Sequence, residues 1–149
     1  SGDGRAKIIN VDMVDKNDKK TKAFQVGDTA YIQCNIEFND TIDDPTVGIL
    51  IRDRLGNDIF GTNTHHLSID RQSFTKGDKA LASFKLALNL GCGNYSVTVA
   101  VHSGVTHIDA NHDWIDQALV FQIIPNDSYR FVGAAALPVE VEFAARHDQ

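Results

Sequence analysis

The sequence lacks most of the patterns that announce a chemistry. Its 149 residues contain no GxxxxGK[ST] stretch, so the chain does not itself grip a nucleotide through a P-loop. GxSxG, HExxH and CxxC are missing too. Their absence removes the sequence signs of a nucleophile elbow, a zinc-protease helix and a redox or zinc-binding cysteine pair. No apolar run approaches the roughly 20 residues of a membrane helix, so no direct membrane insertion is expected. The start, SGDGRAKIIN, has neither the charged region nor the apolar run of a secretory signal. Basic residues are outnumbered, 14 Lys and Arg against 20 Asp and Glu. The resulting formal net charge of −6 argues against nucleic acid or an anionic membrane as the main partner. Nothing supports a long amphipathic helix, an internal repeat or a low-complexity segment.

Cysteine is scarce as well. Cys34 falls on the apolar side of an alternating stretch and Cys92 in a glycine-rich turn. An immunoglobulin-type disulfide would cross a sandwich beside a Trp of an early strand, whereas the one Trp, Trp114, comes late. Two reduced thiols in a cytosolic protein are the expectation.

What the chain does contain is strands. Ser1–Gly4 reads as a flexible linker remnant of something longer, and residues 5–149 as one β-sandwich domain. The centre is residues 91–124. There Tyr95, Val97, Val99 and Val101 alternate with Ser96, Thr98, Ala100 and His102. A polar loop, Ser103–Asp113, leads to a second strand that starts at Trp114 and ends at Ile124. Around this hairpin we expect a first strand, 5–15, with Ile9, Val11 and Met13 on one face. Residues 29–38 follow, with Ala30, Ile32, Cys34, Ile36 and Phe38 inward, and then 47–53, with Val47, Ile49 and Ile51 inward. Ile59–Gly61 begins a short strand. Residues 79–90 turn Ala82, Phe84, Leu86, Leu88 and Leu90 to one side, and a final alternating strand, 137–143, carries Val139, Val141 and Phe143. About seven strands separated by polar turns predict an all-β, immunoglobulin-like antiparallel β-sandwich.

Candidate chemistry is sparse. His107, Asp109, His112 and Asp113 would make a metal site only if their loop folded back on itself, and Asp-rich loops serve turn chemistry. His65 and His66 point opposite ways on extended backbone. No pair of carboxylates is placed by a glycosidase-like motif. Neither a metal, a cofactor nor catalysis is expected. What remains is a sheet face. If the strands 47–53, 95–102 and 114–124 are neighbours, their outward positions are Gly48, Leu50 and Arg52; Ser96, Thr98, Ala100 and His102; and Ala118, Val120 and Gln122. One reading is an ordinary solvated face. The other is a shallow trough in which Arg, His, Gln, Ser and Thr suit sugar hydroxyls and Arg52 holds an anionic group bidentately. Trp114 is either plain core or an aromatic platform. The candidate carbohydrate-binding set is Leu50, Arg52, Ser96, Thr98, His102, Trp114 and Gln122.

Three stretches together carry a family resemblance: VGILIRDRLGNDIFGTNT (47–64), LGCGNYSVTVAVH (90–102) and HDWIDQALVFQI (112–123), with Phe131–Gly133 and the last strand behind them. The chain resembles the C-terminal domain of Wzt, the ATPase subunit of O-antigen polysaccharide ABC transporters. The resemblance implies an immunoglobulin-like carbohydrate-binding module, attached to an N-terminal ATPase domain beside a membrane subunit. Its place would be cytoplasmic, at the inner-membrane face of a Gram-negative bacterium. There it recognises finished, lipid-linked O-polysaccharide by its modified non-reducing end for export, and it is a homodimer by exchange of its C-terminal strand. The implied domain is not an enzyme. Two other classes stay open: a protein-interaction or assembly sandwich that uses its terminal strand, and a polysaccharide lyase or hydrolase.

Overall fold

The computed structural model describes residues 1–104 and 110–146. Ten strands and no helix occur among them: β1 (Ala6–Asp15), β2 (Ala23–Gln25), β3 (Thr29–Phe38), β4 (Ile42–Asp43), β5 (Pro45–Asp53), β6 (Asp58–Asn63), β7 (Ser73–Phe74), β8 (Lys79–Ala87), β9 (Gly93–Ser103) and β10 (Asn111–Ile124). They form a three-stranded sheet, β1-β3-β8, and a five-stranded sheet, β2-β10-β9-β5-β6, with β4 and β7 as a small separate pair. The pairs are antiparallel except β2, which runs parallel to the end of β10. The result is an immunoglobulin-like sandwich with the 91–124 hairpin at the middle of its larger sheet.

Period-2 alternation builds the core. Ala30, Ile32, Cys34, Ile36 and Phe38 of β3 face Val97, Val99 and Val101 of β9 and Val47, Ile49 and Ile51 of β5, all buried. Each large side chain so buried contributes roughly 1.5–3 kcal/mol against the ordering entropy of the chain. Burial drives the Cys34 thiol up to about 12, so it stays a protonated, inert core group, whereas Cys92 is exposed and both are free. Phe74 of β7 stacks on Phe38 with ring centres 4.2 Å apart. The Tyr95 hydroxyl donates to the Gly91 carbonyl at 2.7 Å, which pins the corner where the chain enters β9, as tyrosine corners do in immunoglobulin-like sandwiches.

Four expectations need correction. In β1 the core positions are Ala6, Ile8, Met13 and Val14, while Ile9 is 52% exposed. The pairing passes from Ile8–Ile36 to Asn10–Asn35, so Ile9 is an extra residue that reverses the alternation. β8 ends at Ala87, with Leu88 fully buried just beyond it. β10 begins at Asn111 rather than Trp114, which moves His112 and Asp113 from a loop into a strand. Residues 137–143 form no strand in the single chain; Leu137, Val139, Val141 and Phe143 are 69–100% exposed.

Both ends of the sandwich are tied to its strands. Gly2–Gly4 run beside β10, with the Asp3 and Gly4 N–H groups donating to the Asn111 and His112 carbonyls, each at 3.0 Å. Near the other terminus, the Gly91 N–H donates to the Ala134 carbonyl at 2.8 Å and the Ala136 N–H to the Asn89 carbonyl at 3.0 Å. The Tyr129 hydroxyl donates to the Leu137 carbonyl. Beyond that bond the chain leaves the sandwich through Pro138.

Candidate functional site

β5, β9 and β10 are adjacent, and pairing register arranges their outward residues in rows. Trp114 lies opposite Ala100, Ala100 opposite Gly48, and Gly48 opposite Asn63 of β6. The next row is Thr98, Leu50 and Gly61, and the one after it Val120, Ser96, Arg52 and Asp58. His102 pairs with Asn111 and Thr46 at one end of the face, and Gln122 with Asn94 at the other. From position 94 to position 102 extended chain covers about 26 Å, so His102 and Gln122 cannot serve one sugar-sized ligand.

The first row decides the standing of Trp114. Its side chain is 42% exposed, and the neighbours across the sheet are alanine and glycine. A large aromatic beside such small residues leaves a step in the surface, with a ring face on one side. Trp114 is therefore not core. Leu50 and His102 are half-buried and Gln122 exposed.

Next to this step is a polar network. Arg52 is gripped from two sides: its Nε donates to Asp58 Oδ1 and its Nη1 to Asp116 Oδ1, each at 2.9 Å. The Thr98 hydroxyl donates to the same Asp116 oxygen at 2.6 Å. Thr98 is 2% exposed and Ser96 9% exposed, so both lie beneath the network rather than at its surface. The Thr98 hydrogen bond, with Arg52 adding its charge, holds the Asp116 carboxyl below the usual carboxylate range. Bonding to Asp58 first, and then the charge of Asp116, holds the Arg52 guanidinium even more firmly protonated than usual.

Asp116 and Asp58 were not among the expected site residues. β10 carries two more residues than β9 between the pairs Ile115–Val99 and Leu119–Val97, and Gln117 takes a left-handed φ of 49°. Asp116, outward by alternation like Trp114, meets Thr98 at the start of this bulge. The bulge turns Ala118, expected on the outer face, against the core. Strand parity cannot anticipate the placement of Ala118. The one visible signal was a polar pair, Asp116-Gln117, breaking the apolar run of the strand.

Of the cluster weighed as a metal site, the two described members, His112 and Asp113, point apart. His112 is fully buried, with Nδ1 3.0 Å from Asp3 Oδ1 and Nε2 2.6 Å from Ser103 Oγ. A proton on Nδ1, facing the carboxylate, leaves Nε2 to accept from the serine. The imidazole thus ties the N-terminal segment to the mouth of the hairpin. Asp113 turns away, its Oδ2 accepting from the Ile8 N–H at 2.8 Å. His107 and Asp109 lie outside the described residues. Among the described residues no group of three or more His, Cys, Asp or Glu is placed to hold a metal ion.

A second concave feature lies on the flank. A mostly apolar groove of about 780 Å³ opens between β8 and β6, beneath residues 64–72. Phe60, Leu67, Ile69 and Leu81 line it and are each about half exposed. Among the described residues β8 pairs only with β3, and its other edge carries no strand.

Comparison with known proteins points one way. A family model described as the Wzt C-terminal domain matches residues 1–137. A crystal structure of the C-terminal domain of Wzt superposes with a TM-score of 0.87 at 21% identity, covering 97% of this chain and 87% of that one. At that identity the likeness is one of fold. No curated protein matches the chain.

Proposed function

The chain belongs to the Wzt C-terminal domain family, and on that premise we propose that its five-stranded sheet binds O-polysaccharide for export by an ABC transporter. The observation that carries this reading is the half-exposed Trp114 beside Ala100 and Gly48, with the Arg52–Asp116–Thr98 network next to it. A sugar ring stacks its C–H face on an indole and directs its hydroxyls to fixed polar groups at the side. Such a site binds weakly, because each hydrogen bond replaces one to water at a net gain of about 0.5–1.5 kcal/mol. Weak contacts suit a cargo that must be released, and the length of the face suits several sugars of a chain, its modified non-reducing end included. In this role the domain works in the cytoplasm at the inner membrane, beside an ATPase domain and a membrane subunit. No helix among the described residues is long and apolar enough to cross a membrane.

Titration with O-polysaccharide from the source strain, read by Trp114 fluorescence against an unrelated glycan, tests this reading. Saturable, strain-specific binding is expected, and Arg52→Ala and His102→Ala should weaken it in folded protein. A folded domain that binds neither intact nor end-modified chains overturns it.

The homodimer by strand exchange belongs to the same reading. The exposed, alternating Leu137, Val139, Val141 and Phe143 lie beyond the Tyr129–Leu137 anchor, and the chain offers both an open β8 edge and an apolar groove. A partner's segment added to that edge would bury both apolar surfaces. The same features favour the second reading, an assembly module that takes a strand from a different protein. Light scattering separates them. A dimer that becomes monomeric on truncation after Ala136 supports exchange, whereas a full-length monomer supports the assembly module.

A further inference from the structure

Arg52 was expected to receive an anionic group, and the geometry reverses that role. Its guanidinium is only 27% exposed and is already bonded to Asp58 and Asp116. The three charges sum to minus one, so an incoming phosphate or uronate meets net repulsion, and with Nε and Nη1 both engaged only Nη2 has no partner among the described residues. What faces outward is the carboxylate of Asp116, whose side chain is 60% exposed. Its Oδ1 accepts from both Thr98 and Arg52, while Oδ2 takes no hydrogen bond from any described residue. The carboxylate is therefore fixed in direction with one oxygen open. Trp114 stands two residues earlier on the same strand, about 7 Å away along extended chain. That spacing lets one pyranose ring lie on the indole and turn its hydroxyls to the carboxylate.

We propose that Asp116 is the specificity-determining ligand group of this face, accepting hydrogen bonds from adjacent hydroxyls of an uncharged sugar stacked on Trp114. Arg52 is a positioning residue that acts through Asp116. This rests on the glycan-binding reading above and adds to it the chemical class of the sugar and the group that selects it. Alternation from the Ile115–Val99 pair already sets Asp116 on the outer face with Trp114, and the β10 bulge follows between it and Leu119.

The test titrates wild type, Asp116→Asn, Arg52→Ala and the double variant with O-polysaccharide from the source strain. Methyl mannoside, methyl glucoside, methyl galactoside and methyl glucuronoside serve as competitors. The amide replaces the carboxylate at nearly constant size, and at least a tenfold loss of affinity is expected from it. Adding Arg52→Ala to Asp116→Asn should cost nothing further, whereas a direct ligand would add its own loss. At least one neutral glycoside should compete, and the glucuronoside should not. Should Asp116→Asn fail to fold, the amide shifts of Asp116 and Gln117 in titrated wild type give the answer, and their constancy overturns the proposal. Asp116→Asn binding within twofold of wild type, or competition by the glucuronoside alone, overturns it while leaving glycan binding intact. Wild type that binds no glycan removes both.

Discussion

Gly91 approaches Gly133 so closely that a methyl group on Gly91 would lie 2.5 Å from the Gly133 carbonyl oxygen. The contact lets residues 133–136 pair with 89–91, and it sits just before the point where the chain leaves the sandwich.

Gly91→Ala must therefore push the 133–136 segment off the sandwich. A loss of about 1–3 kcal/mol is expected, as for overpacking elsewhere. Urea unfolding measures it, and hydrogen exchange should show the Gly91 and Ala136 amides losing protection while β3 keeps its own. Retained protection at both amides would refute the argument.

Neighbouring isoleucines in β1 should behave oppositely. Ile8 is 3% exposed and Ile9 52% exposed. Ile8→Ala is expected to cost about 2–5 kcal/mol, and Ile9→Thr less than about 0.5 kcal/mol. Equal costs would mean that the bulge is misplaced.

The two thiols should separate by reagent. A charged maleimide is expected to label Cys92 in the native protein and both cysteines in denaturant, since burial holds the Cys34 thiol near 12. Mass spectrometry counts the adducts. Two adducts on folded protein would contradict a closed core.

Stability should be flat near neutrality and fall on the acid side. The carboxyls of Asp40, Asp53 and Asp116 are held low by hydrogen bonds, first from the Thr41 N–H, the Asn57 side chain and the Thr98 hydroxyl respectively. A carboxyl with a lowered folded pKa stabilises above its unfolded value, about 3.9, and loses that contribution as pH falls through the folded value. Melting temperature is thus expected to hold from pH 7 to 5 and decline below about 4. Asp53→Asn should shallow the decline, and an unchanged acid limb would show that this carboxyl does not contribute.

How much of this was readable depends on whether alternation held. In β3, β5 and β9 it is unbroken, and every expected core residue is buried. In β1 and β10 a bulge interrupts it, and there Ile9, His112 and Ala118 fell on the wrong side or in the wrong element. A bulge is set by what the partner strand can pair with, and the polar pair Asp116-Gln117 was its one mark in β10. The candidate face divides the same way. Its strands and its row of small residues followed from parity, which also turns Asp116 outward, whereas the bonds of Arg52 to Asp58 and Asp116 depend on how separate strands pair.

The sequence by itself determined a strand-built sandwich, because apolar side chains at every second position can be buried together only on one face of a sheet. Its turns followed from local residue chemistry. Tertiary structure alone decided which outward groups remain available. Side-chain hydrogen bonds form between whatever long-range pairing brings within 3 Å, so one arginine is held between two aspartates and one carboxylate oxygen is left facing out.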